Sequence, residues 1–302
     1  MSTADILVVG SANMDLVAFA DRLPAPGETL LGGAFQSFAG GKGGNQAVAA
    51  ARAGGKVAFL GRIGNDLFGA RLRAGLEEDG VDTRLLGTVD GASGVAIIMS
   101  GGGNNMIVVA PGANDAVTAD TIDKSAFTGI RFVLAQLETP LDGVIAAARL
   151  ARAQGATFIL DPAPARALPS ELLSLVDWLT PNESEACGLL GLKNLGDPVA
   201  MARLLKALGP RGVVLKLGGQ GVVVLGEDDV PLMIPARKVV VADTTAAGDA
   251  FNGAFAVGLS EGKTAQDAAR FAVTAAGISV TRQGAQPAMA RRAEIDAVMA
   301  LG

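Results

Sequence analysis

The sequence predicts an α/β protein with a central, mostly parallel sheet flanked by helices on both faces, together with a smaller β-sheet. Short apolar runs bounded by Gly, Pro or Asp alternate with segments of helical periodicity, which is typical of right-handed β-α-β units. Two zones interrupt this alternation and contain no convincing helix. At 302 residues the chain is long enough for one large domain or two smaller ones. No internal repeat or long linker appears, and we predict a single domain over residues 1–302.

Apolar runs predict six buried parallel strands. The first, ILVVG at 6–10, belongs to a start that lacks a basic region and carries Asp5, Asn13 and Asp15. We therefore interpret it as a strand rather than as part of a signal peptide. The other five runs are 57–61, 132–137, 157–161, 178–180 and 213–217.

Helical periodicity separates these runs, and each helical segment ends at a glycine that is typical of a helix stop. The zones without a helix are 13–38 and 93–110, and the second predicts a hairpin with strands at 94–100 and 105–110. We expect a separate small β-element there, covering one edge of the main domain. The helical segments are 45–54, 141–155 and 198–209.

Composition excludes several classes of protein. With 25 basic and 30 acidic residues the net charge is −5, and no basic stripe supports binding to nucleic acid. Because histidine is absent, Ser-His-Asp catalysis, a His-ligated zinc and an imidazole base are ruled out. The single cysteine, Cys187, excludes a disulfide or a cysteine zinc site within the chain. No stretch is long enough to span a membrane, and we expect a cytoplasmic protein.

Two familiar nucleotide-binding motifs are missing. The GKT at 262–264 lacks the earlier glycine of a P-loop, since residue 257 is Val, and a helix stop followed by an N-cap at Thr264 explains it better. No GxGxxG follows the first strand, which disfavours an NAD-dependent oxidoreductase.

The segment DTTAAGDAFNGAF, residues 243–255, has small residues at a predicted helix start and one acid just after them. Ala246, Ala247 and Gly248 expose consecutive backbone N–H groups and predict a pocket for an anion. An acid such as Asp249 commonly does no more than complement the helix dipole, but that does not explain the preceding small residues. Phosphoryl transfer does, with a γ-phosphoryl group in the pocket and Asp249 orienting the attacking hydroxyl.

Two segments nearer the N-terminus can bind a polar ligand. Four glycines surround Lys42 ahead of a helix that opens at Asn45, although a glycine-rich turn with a solvated lysine is an equal alternative. Asn13 and Asp15 follow the first strand with period two. Both can therefore point to one side and hold adjacent hydroxyls, or they can belong to an ordinary turn.

Three further features have a structural and a functional interpretation. Asn182 is a predicted N-cap with Glu185 in the first helical turn, where a carboxylate complements the dipole or orients water around Mg²⁺. The glycine-rich loop 216–221 is a tight connection or passes beside a nucleotide. Glu138, at a strand end, is a loop carboxylate or a ligand to the substrate.

Taken in order along the chain, these motifs resemble those of the ribokinase-like sugar kinases over essentially the whole sequence. The resemblance implies a ribokinase-like three-layer fold and ATP-dependent phosphorylation of the primary 5-hydroxyl of a pentose, with D-ribose the first choice. A kinase for deoxyribose, a ketohexose or a nucleoside stays open. So does a sugar sensor without turnover, although the retention of Gly248, Asp249 and Glu185 argues against it. The motifs are GSANMD, GGKGGNQ, QLE, DPAPAR, TPNESEA, DTTAAGDAFNGAF and VTRQGAQP.

The resemblance also implies roles for individual residues. Asp249 is the implied base, and Gly248 with Ala247 and Ala246 the implied anion hole. The implied sugar-binding residues are Asn13, Asp15, Gly41, Lys42, Gly43, Gly44, Asn45, Glu138 and Asp249. The implied ATP-binding residues are Asn182, Lys216, Leu217, Gly218, Gly219, Gln220, Gly221, Gly248 and Asp249.

Metal ions and a dimer are implied in the same way. Glu185 supports Mg²⁺ through water, and the small β-element, formed by segments about 13–38 and 93–110, is a lid over the sugar and a homodimer contact. The implied K⁺ site, mostly of backbone carbonyls, comprises Asp243, Thr245, Ser279, Arg282, Gly284 and Ala288.

Three positions depart from the family pattern. Ala288 lacks the hydroxyl expected at the last cation position. Lys216 replaces a common threonine, where it adds a phosphate contact or faces solvent. Val273 lies near the adenine side, where a polar residue can occur.

Overall fold

The computed structural model describes residues 4–194 and 196–301; residues 1–3, 195 and 302 of the predicted 1–302 domain lie outside the described residues. Within those ranges the chain forms thirteen β-strands and nine α-helices. The strands are β1 (Ile6–Val9), β2 (Asn13–Ala20), β3 (Phe35–Gly40), β4 (Val57–Gly64), β5 (Leu86–Val89), β6 (Gly94–Gly101), β7 (Asn104–Ala110), β8 (Phe132–Ala135), β9 (Thr157–Leu160), β10 (Trp178–Leu179), β11 (Gly212–Lys216), β12 (Val222–Leu225) and β13 (Pro231–Ile234). The helices are α1 (Lys42–Arg52), α2 (Leu67–Glu78), α3 (Leu141–Ala153), α4 (Ser170–Leu173), α5 (Glu183–Leu190), α6 (Pro198–Ala207), α7 (Ala247–Ser260), α8 (Ala265–Ser279) and α9 (Arg292–Ala300).

The larger sheet has nine strands in the order β13-β12-β11-β10-β9-β8-β1-β4-β5. The strands from β11 to β5 run parallel, and β12 and β13 are antiparallel at one edge. The predicted α/β class with a mostly parallel sheet is confirmed. The six predicted strands are present with ends that differ by up to three residues, whereas α2, α4, α9, β5 and β13 were not predicted.

Alternate residues of β1 contribute to two separate cores, one on each face of the sheet. Ile6 and Val8 pack in a cluster with residues of α1, α7 and α8, including Phe255. Leu7 and Val9 pack in a second cluster with residues of α3 and α6. Because side chains alternate along a strand, a continuous apolar run buries both faces, and the helices cover both.

The smaller sheet has four strands in the order β3-β2-β6-β7. β2 pairs antiparallel with β3 and parallel with β6, and the predicted hairpin corresponds to β6 and β7, joined through Gly102 and Gly103 at positive φ. Every residue of β7 is exposed. In the described part of the chain, no helix combines the length and apolarity needed to cross a membrane.

Candidate active site

The candidate site lies where the parallel strands of the larger sheet end. Ser11 follows β1, Glu138 follows β8 and Asp161 follows β9, while Lys216 is the last residue of β11. Parallel strands place their carboxyl ends at one edge of the sheet, the usual ligand-binding edge of α/β folds. Residues far apart in sequence therefore meet there.

Asp249 sits in the first turn of α7 and is almost fully buried. Its two carboxylate oxygens accept hydrogen bonds of 3.0 Å from Nδ2 of Asn45 and from Nε2 of Gln46, both on α1. The helices approach closely because Gly253 has no side chain: a Cβ there would lie 2.7 Å from Cβ of Ala49. Close packing of α1 and α7 thus brings a predicted sugar-binding residue, Asn45, to the predicted base.

The environment of Asp249 raises the pKa of its carboxyl group to about 6. Burial is the main cause, and the negative charge of Asp161 adds to it. The positive charge of Lys42 and the hydrogen bonds from Gln46 and Asn45 oppose both. A carboxylate with this pKa is mostly ionised at neutral pH and is a stronger base than an exposed aspartate.

Asp15, on β2, faces the same place from the smaller sheet. Burial, and the charges of Glu138 and Asp249, raise its pKa to about 7. Within residues 4–194 and 196–301 no group donates a hydrogen bond to its carboxylate. Space for the side chain comes from Gly40 on β3, where a Cβ would lie 2.3 Å from Oδ2 of Asp15. We call Asp15, Glu138 and Asp249 the acidic cluster.

Buried neighbours hold two of the predicted sugar-binding side chains in place. Oε2 of Glu138 accepts hydrogen bonds from Oγ of Ser11 at 2.6 Å and from the backbone N–H of Lys42 at 3.0 Å. Oδ1 of Asn13 accepts a hydrogen bond of 2.7 Å from Nδ2 of Asn114, which is buried. Ser11 and Asn114 were not predicted as supports, because nothing local to either residue indicates its distant partner.

The glycines around Lys42 have a structural reason that differs from the predicted approach to a ligand. Gly41, the N-cap residue of α1, has a φ of 81°. A Cβ on Gly41 would lie 2.7 Å from the backbone nitrogen of Asn13. A Cβ on Gly43 would lie 2.6 Å from the nitrogen of Ser11. The helix also begins at Lys42 rather than at the predicted Asn45. These glycines let α1 start against the β1–β2 connection, and Gly44 donates to Ser11 O at 2.8 Å.

Lys42 is half-buried rather than solvated. Burial disfavours its charged form, but the carboxylates of Asp249, Asp161, Glu138 and Glu185 outweigh that effect and raise the pKa of the ammonium group. It stays charged at neutral pH.

A cavity of about 550 Å³ opens beside the N-terminus of α7. Val273 lies in its wall, on the helix α8, and the exposed Val239 and Val241 lie on another side. Leu217 does not line the cavity because its side chain is packed in a core, and Gln220 is exposed outside it. The predicted ATP-binding and anion-hole residues that line it are Asn182, Lys216, Gly218, Gly219, Gly221, Ala246, Ala247, Gly248 and Asp249.

Asn182 and Glu185 form a capping box at the start of α5. Oδ1 of Asn182 accepts from the backbone N–H of Glu185, and the Glu185 carboxylate accepts from the N–H and Nδ2 of Asn182. The predicted N-cap is confirmed. Burial raises the pKa of Glu185, against the opposing charge of Lys216, and the residue lines the cavity. A second carboxylate, Asp161, lines it too, so hard oxygen donors suited to Mg²⁺ are present.

Hydrogen bonds join several residues of the implied K⁺ site. Oδ1 of Asp243 accepts from N–H and Oγ1 of Thr245, and Oδ2 accepts from N–H of Gly284 at 2.9 Å. Burial raises the pKa of Asp243, but these hydrogen bonds outweigh it and the pKa is lowered. Ser279 O accepts from N–H of Arg282. Ala288, in a buried 3₁₀ turn, has no hydrogen bond to the other five in the described chain.

The side chains of Asp243 and Thr245 carry oxygen atoms, which are hard donors, and these two side chains hydrogen-bond to each other. Among residues 4–194 and 196–301 there is no group of three or more acidic or Cys side chains arranged to hold a metal ion.

Two buried residues connect the site but were not predicted. Gln46 donates from Nε2 both to Asp249 and, at 2.9 Å, to Oδ2 of Asp161. Its Oε1 accepts a 2.7 Å hydrogen bond from Nε2 of Gln136. Both carboxylate partners of Gln46 lie more than 100 positions away along the chain. The motifs that contain Gln46 and Asp161, GGKGGNQ and DPAPAR, were recognised in the sequence. Their separation along the chain does not indicate that the two side chains meet.

The fold and the site define a class of enzyme. A buried aspartate with a raised pKa at a helix N-terminus, between other carboxylates and an open cavity, suits a phosphotransferase with an alcohol as acceptor. The chain belongs to the pfkB family of carbohydrate kinases, whose model matches residues 3–292.

Individual relatives are similar over their whole length. The chain is 41% identical to a ribokinase from Haemophilus influenzae, over 96% of each protein. It is 35% identical to a deoxyribokinase from Salmonella typhi, over 93% of this chain and 94% of that one. Its structure matches that of Arabidopsis thaliana ribokinase complexed with ribose and ATP with a TM-score of 0.92, at 32% identity and 98% coverage of both chains.

Proposed function

We propose that this carbohydrate kinase transfers the γ-phosphoryl group of ATP to the primary 5-hydroxyl of D-ribose, giving D-ribose 5-phosphate and ADP. The observation that carries the proposal is the position of Asp249, in the acidic cluster on one side and in the wall of the 550 Å³ cavity on the other. The ribokinases among the relatives support ribose as the sugar, and the Arabidopsis complex supports ATP as the donor.

The sugar binds against the acidic cluster. The carboxylate of Asp15 has no protein partner, and Oε1 of Glu138 is likewise free of hydrogen bonds within the described residues, so both can accept from hydroxyl groups. Oδ1 of Asn45 is buried without a partner and adds a third acceptor. The remaining residues of this site are Asn13, Gly41, Lys42, Gly43, Gly44 and Asp249.

ATP binds in the cavity, with its terminal phosphate at the N-terminus of α7. Among residues 4–194 and 196–301 the N–H groups of Ala246 and Gly248 have no hydrogen-bond acceptor, whereas that of Ala247 donates to the carbonyl oxygen of Thr244 at 3.2 Å. The start of a helix attracts anions. Asn182 and four residues of the loop 216–221, Lys216, Gly218, Gly219 and Gly221, also line the cavity, whereas Leu217 and Gln220 do not.

In the transfer step, Asp249 takes the proton of the 5-hydroxyl as the new O–P bond forms and the bond from the γ-phosphorus to the β-phosphate oxygen breaks. The hydrogen bonds from Asn45 and Gln46 fix the plane of the carboxylate, so the base is aimed before the substrate arrives. The electrons of the broken bond leave with ADP.

Two ions complete the proposal. Glu185, with Asp161 in the same cavity lining, would hold Mg²⁺ through water, and the ion would supply charge neutralisation to the phosphates. K⁺ would be held mostly by backbone carbonyls of Asp243, Thr245, Ser279, Arg282, Gly284 and Ala288. Asp243 links two of these segments through its hydrogen bonds to Thr245 and Gly284.

The smaller sheet acts as a lid over the sugar and as a homodimer contact. Asp15 reaches the site from this sheet, so movement of the sheet would open or cover the sugar. Apolar side chains of the sheet are exposed on one face, at Phe35, Ile97, Met106 and Val108, and a second copy would cover them.

Deoxyribose is the second candidate substrate, favoured by the similarity to a deoxyribokinase. ADP release measured with ribose, 2-deoxyribose, fructose and nucleosides, with and without K⁺, tests both. We expect ribose to give the highest kcat/KM, and K⁺ to raise it. Higher kcat/KM with 2-deoxyribose would replace the first proposal by the second, and no sugar-dependent ADP release would contradict both.

A further inference from the structure

Lys216 and Asp161 form a buried ion pair inside the candidate site. Nζ of Lys216 lies 3.0 Å from Oδ1 of Asp161, and the two side chains are only 11% and 3% exposed. They come from the ends of β11 and β9, strands separated by β10 in the sheet. A pair this deeply buried is costly to desolvate and is weak evidence for a purely stabilising role.

The ammonium group of Lys216 lies at the start of α7. A Cβ on Gly248 would be 3.3 Å from its Nζ. Cations are disfavoured near a helix N-terminus, which carries partial positive charge. Stability alone therefore does not explain a buried lysine there, whereas an anion bound between the ammonium group and the helix N-terminus does.

The ammonium group of Lys216 also has N–H donors that make no hydrogen bond within the described residues. An ammonium group has three N–H donors. Within residues 4–194 and 196–301, Asp161 accepts the only hydrogen bond from Nζ of Lys216. The residue lines the cavity beside Gly248 and Asp249. Two donors are thus available on the cavity side.

Asp161 connects this cation to the base. Its Oδ1 pairs with Lys216, and its Oδ2 accepts from Gln46, whose same nitrogen donates to Asp249. One carboxylate therefore holds the cation and, through Gln46, the base in a single arrangement.

We propose that Lys216 is a further catalytic residue, which binds the oxygens of the phosphoryl group under transfer, and that Asp161 and Gln46 are positioning residues for Lys216 and Asp249. The inference rests on the proposed kinase function and adds the group that neutralises the transferred charge. A cation held in a low-dielectric site interacts strongly with charge that shifts during transfer.

A double-substitution experiment separates this role from a structural one. Lys216→Met leaves a buried, unpaired Asp161, and Asp161→Asn leaves an unpaired lysine, so each single variant should unfold at lower temperature. The double variant has no unpaired charge, and we expect it to regain most of the wild-type Tm. Its kcat should nevertheless stay about a hundredfold low, as in Lys216→Met, because the phosphate-binding cation is missing. Sugar KM should change by less than about threefold.

Binding of nucleotides without a sugar gives a second readout. By calorimetry, we expect Lys216→Met and the double variant to bind ATP at least about tenfold more weakly than the wild type, with AMP affinity unchanged. Lys206→Met/Asp229→Asn is the matched control, an ion pair outside the cavity lining, and should keep wild-type kcat and ATP affinity.

The inference is overturned if the double variant recovers wild-type kcat together with Tm, or if ATP affinity is the same with and without Lys216. A wild-type protein that releases no ADP with any sugar contradicts the proposed function instead, and the ATP and AMP affinities still decide the role of Lys216.

Discussion

At the scale of single residues, Asp249 combines two properties that a base needs. It is buried enough for its pKa to rise to about 6, and two side-chain donors hold it in one orientation. The helix N-terminus favours its ionised form, which keeps it ready to accept a proton at neutral pH. The burial and hydrogen bonds of Asp249, more than its residue type, suit it to the proposed role of base.

Replacing that carboxylate is the first prediction. Asp249→Asn keeps the shape but cannot accept the hydroxyl proton, so kcat should fall at least about a hundredfold. Ribose binding measured by calorimetry should stay within a few-fold, because Asp15 and Glu138 are untouched. Asp296→Asn, at an exposed site on α9, is the control and should keep full turnover. Near-normal kcat for Asp249→Asn would remove the residue from the mechanism.

The pKa values predict the acid side of the pH profile. Asp15 takes up a proton near pH 7 and loses a charged acceptor for the sugar, and Asp249 is protonated near pH 6. We expect kcat/KM to begin falling near pH 7 and to fall more steeply below pH 6. In Asp15→Asn the fall should begin only near pH 6. A flat wild-type profile down to pH 5, with the fold intact, would contradict these assignments.

The buried carboxylate of Asp15 should also lower the free energy of unfolding. Its pKa is about 7 when folded and near 3.8 otherwise, so the folded form binds the extra proton between these values. Folding stability from this group therefore falls as pH rises from about 4 to 7, and the full cost is present at pH 8. We expect Asp15→Asn to increase the free energy of unfolding at pH 8 by on the order of 2–4 kcal/mol.

Denaturant unfolding at pH 8 and at pH 4 measures this effect. The gain from Asp15→Asn should shrink to below about 1 kcal/mol at pH 4, where Asp15 is protonated in the folded protein and close to its own pKa of 3.8 in the unfolded chain. Ribose affinity should fall at pH 8, where the wild-type carboxylate is charged. A variant less stable than the wild type at pH 8 would show that Asp15 is satisfied in the folded protein.

At the scale of elements, the start of α7 has a strained backbone conformation beside the proposed phosphate site. Ala246, the N-cap, has φ 56°, a left-handed conformation that costs a non-glycine residue about 1 kcal/mol or more. Ala247 and Gly248 line the cavity, and no side chain caps the helix, although the N–H of Ala247 donates to the carbonyl oxygen of Thr244. A helix start without a side-chain cap is consistent with the proposed phosphate site.

A larger side chain at this helix start is therefore predicted to lower kcat. The Cβ of a residue at 248 would already lie 3.3 Å from Nζ of Lys216, and valine adds two methyl groups in the same space. We expect Gly248→Val to lower kcat at least tenfold, on the scale of losing part of an oxyanion site, and Gly248→Ala to have a smaller effect. Gly75→Val, on α2 with open space around it, is the control. Wild-type kcat for Gly248→Val would refute the anion hole.

At the scale of the whole molecule, the smaller sheet exposes apolar side chains that a second copy would cover. Val108, on the edge strand β7, is 65% exposed, and its cross-strand neighbour Ile97 is 53% exposed. We expect a dimer in analytical ultracentrifugation and a monomer for Val108→Glu, because a buried unpaired charge disfavours the interface. Leu204→Glu, on α6, is the control and should stay dimeric. A monomeric wild type would reject the dimer.

Much of the site could be predicted because its main groups are encoded in short segments. Asp249, Gly248 and the small residues before them are consecutive, and Asn182 with Glu185 spans one helical turn. Other features could not be predicted, because they depend on which strands and helices become neighbours. Gln46 was recognised only as part of a motif, and its two carboxylate partners are visible only once α1, β9 and α7 are assembled.

The sequence by itself determined the α/β class, the parallel order of apolar strands with helices between them, and the helix start at which Asp249 lies. The fold class and the strands follow from the local periodicity of apolar residues, and the helix start follows from the small residues that precede Asp249. Only the tertiary structure decided that Lys216 pairs with Asp161, that Asn114 hydrogen-bonds to Asn13, and that Asp15 has no hydrogen-bond partner among the described residues. The reason is physical: burial, pairing and pKa depend on groups brought together through space, and most of those groups lie many tens of residues apart along the chain.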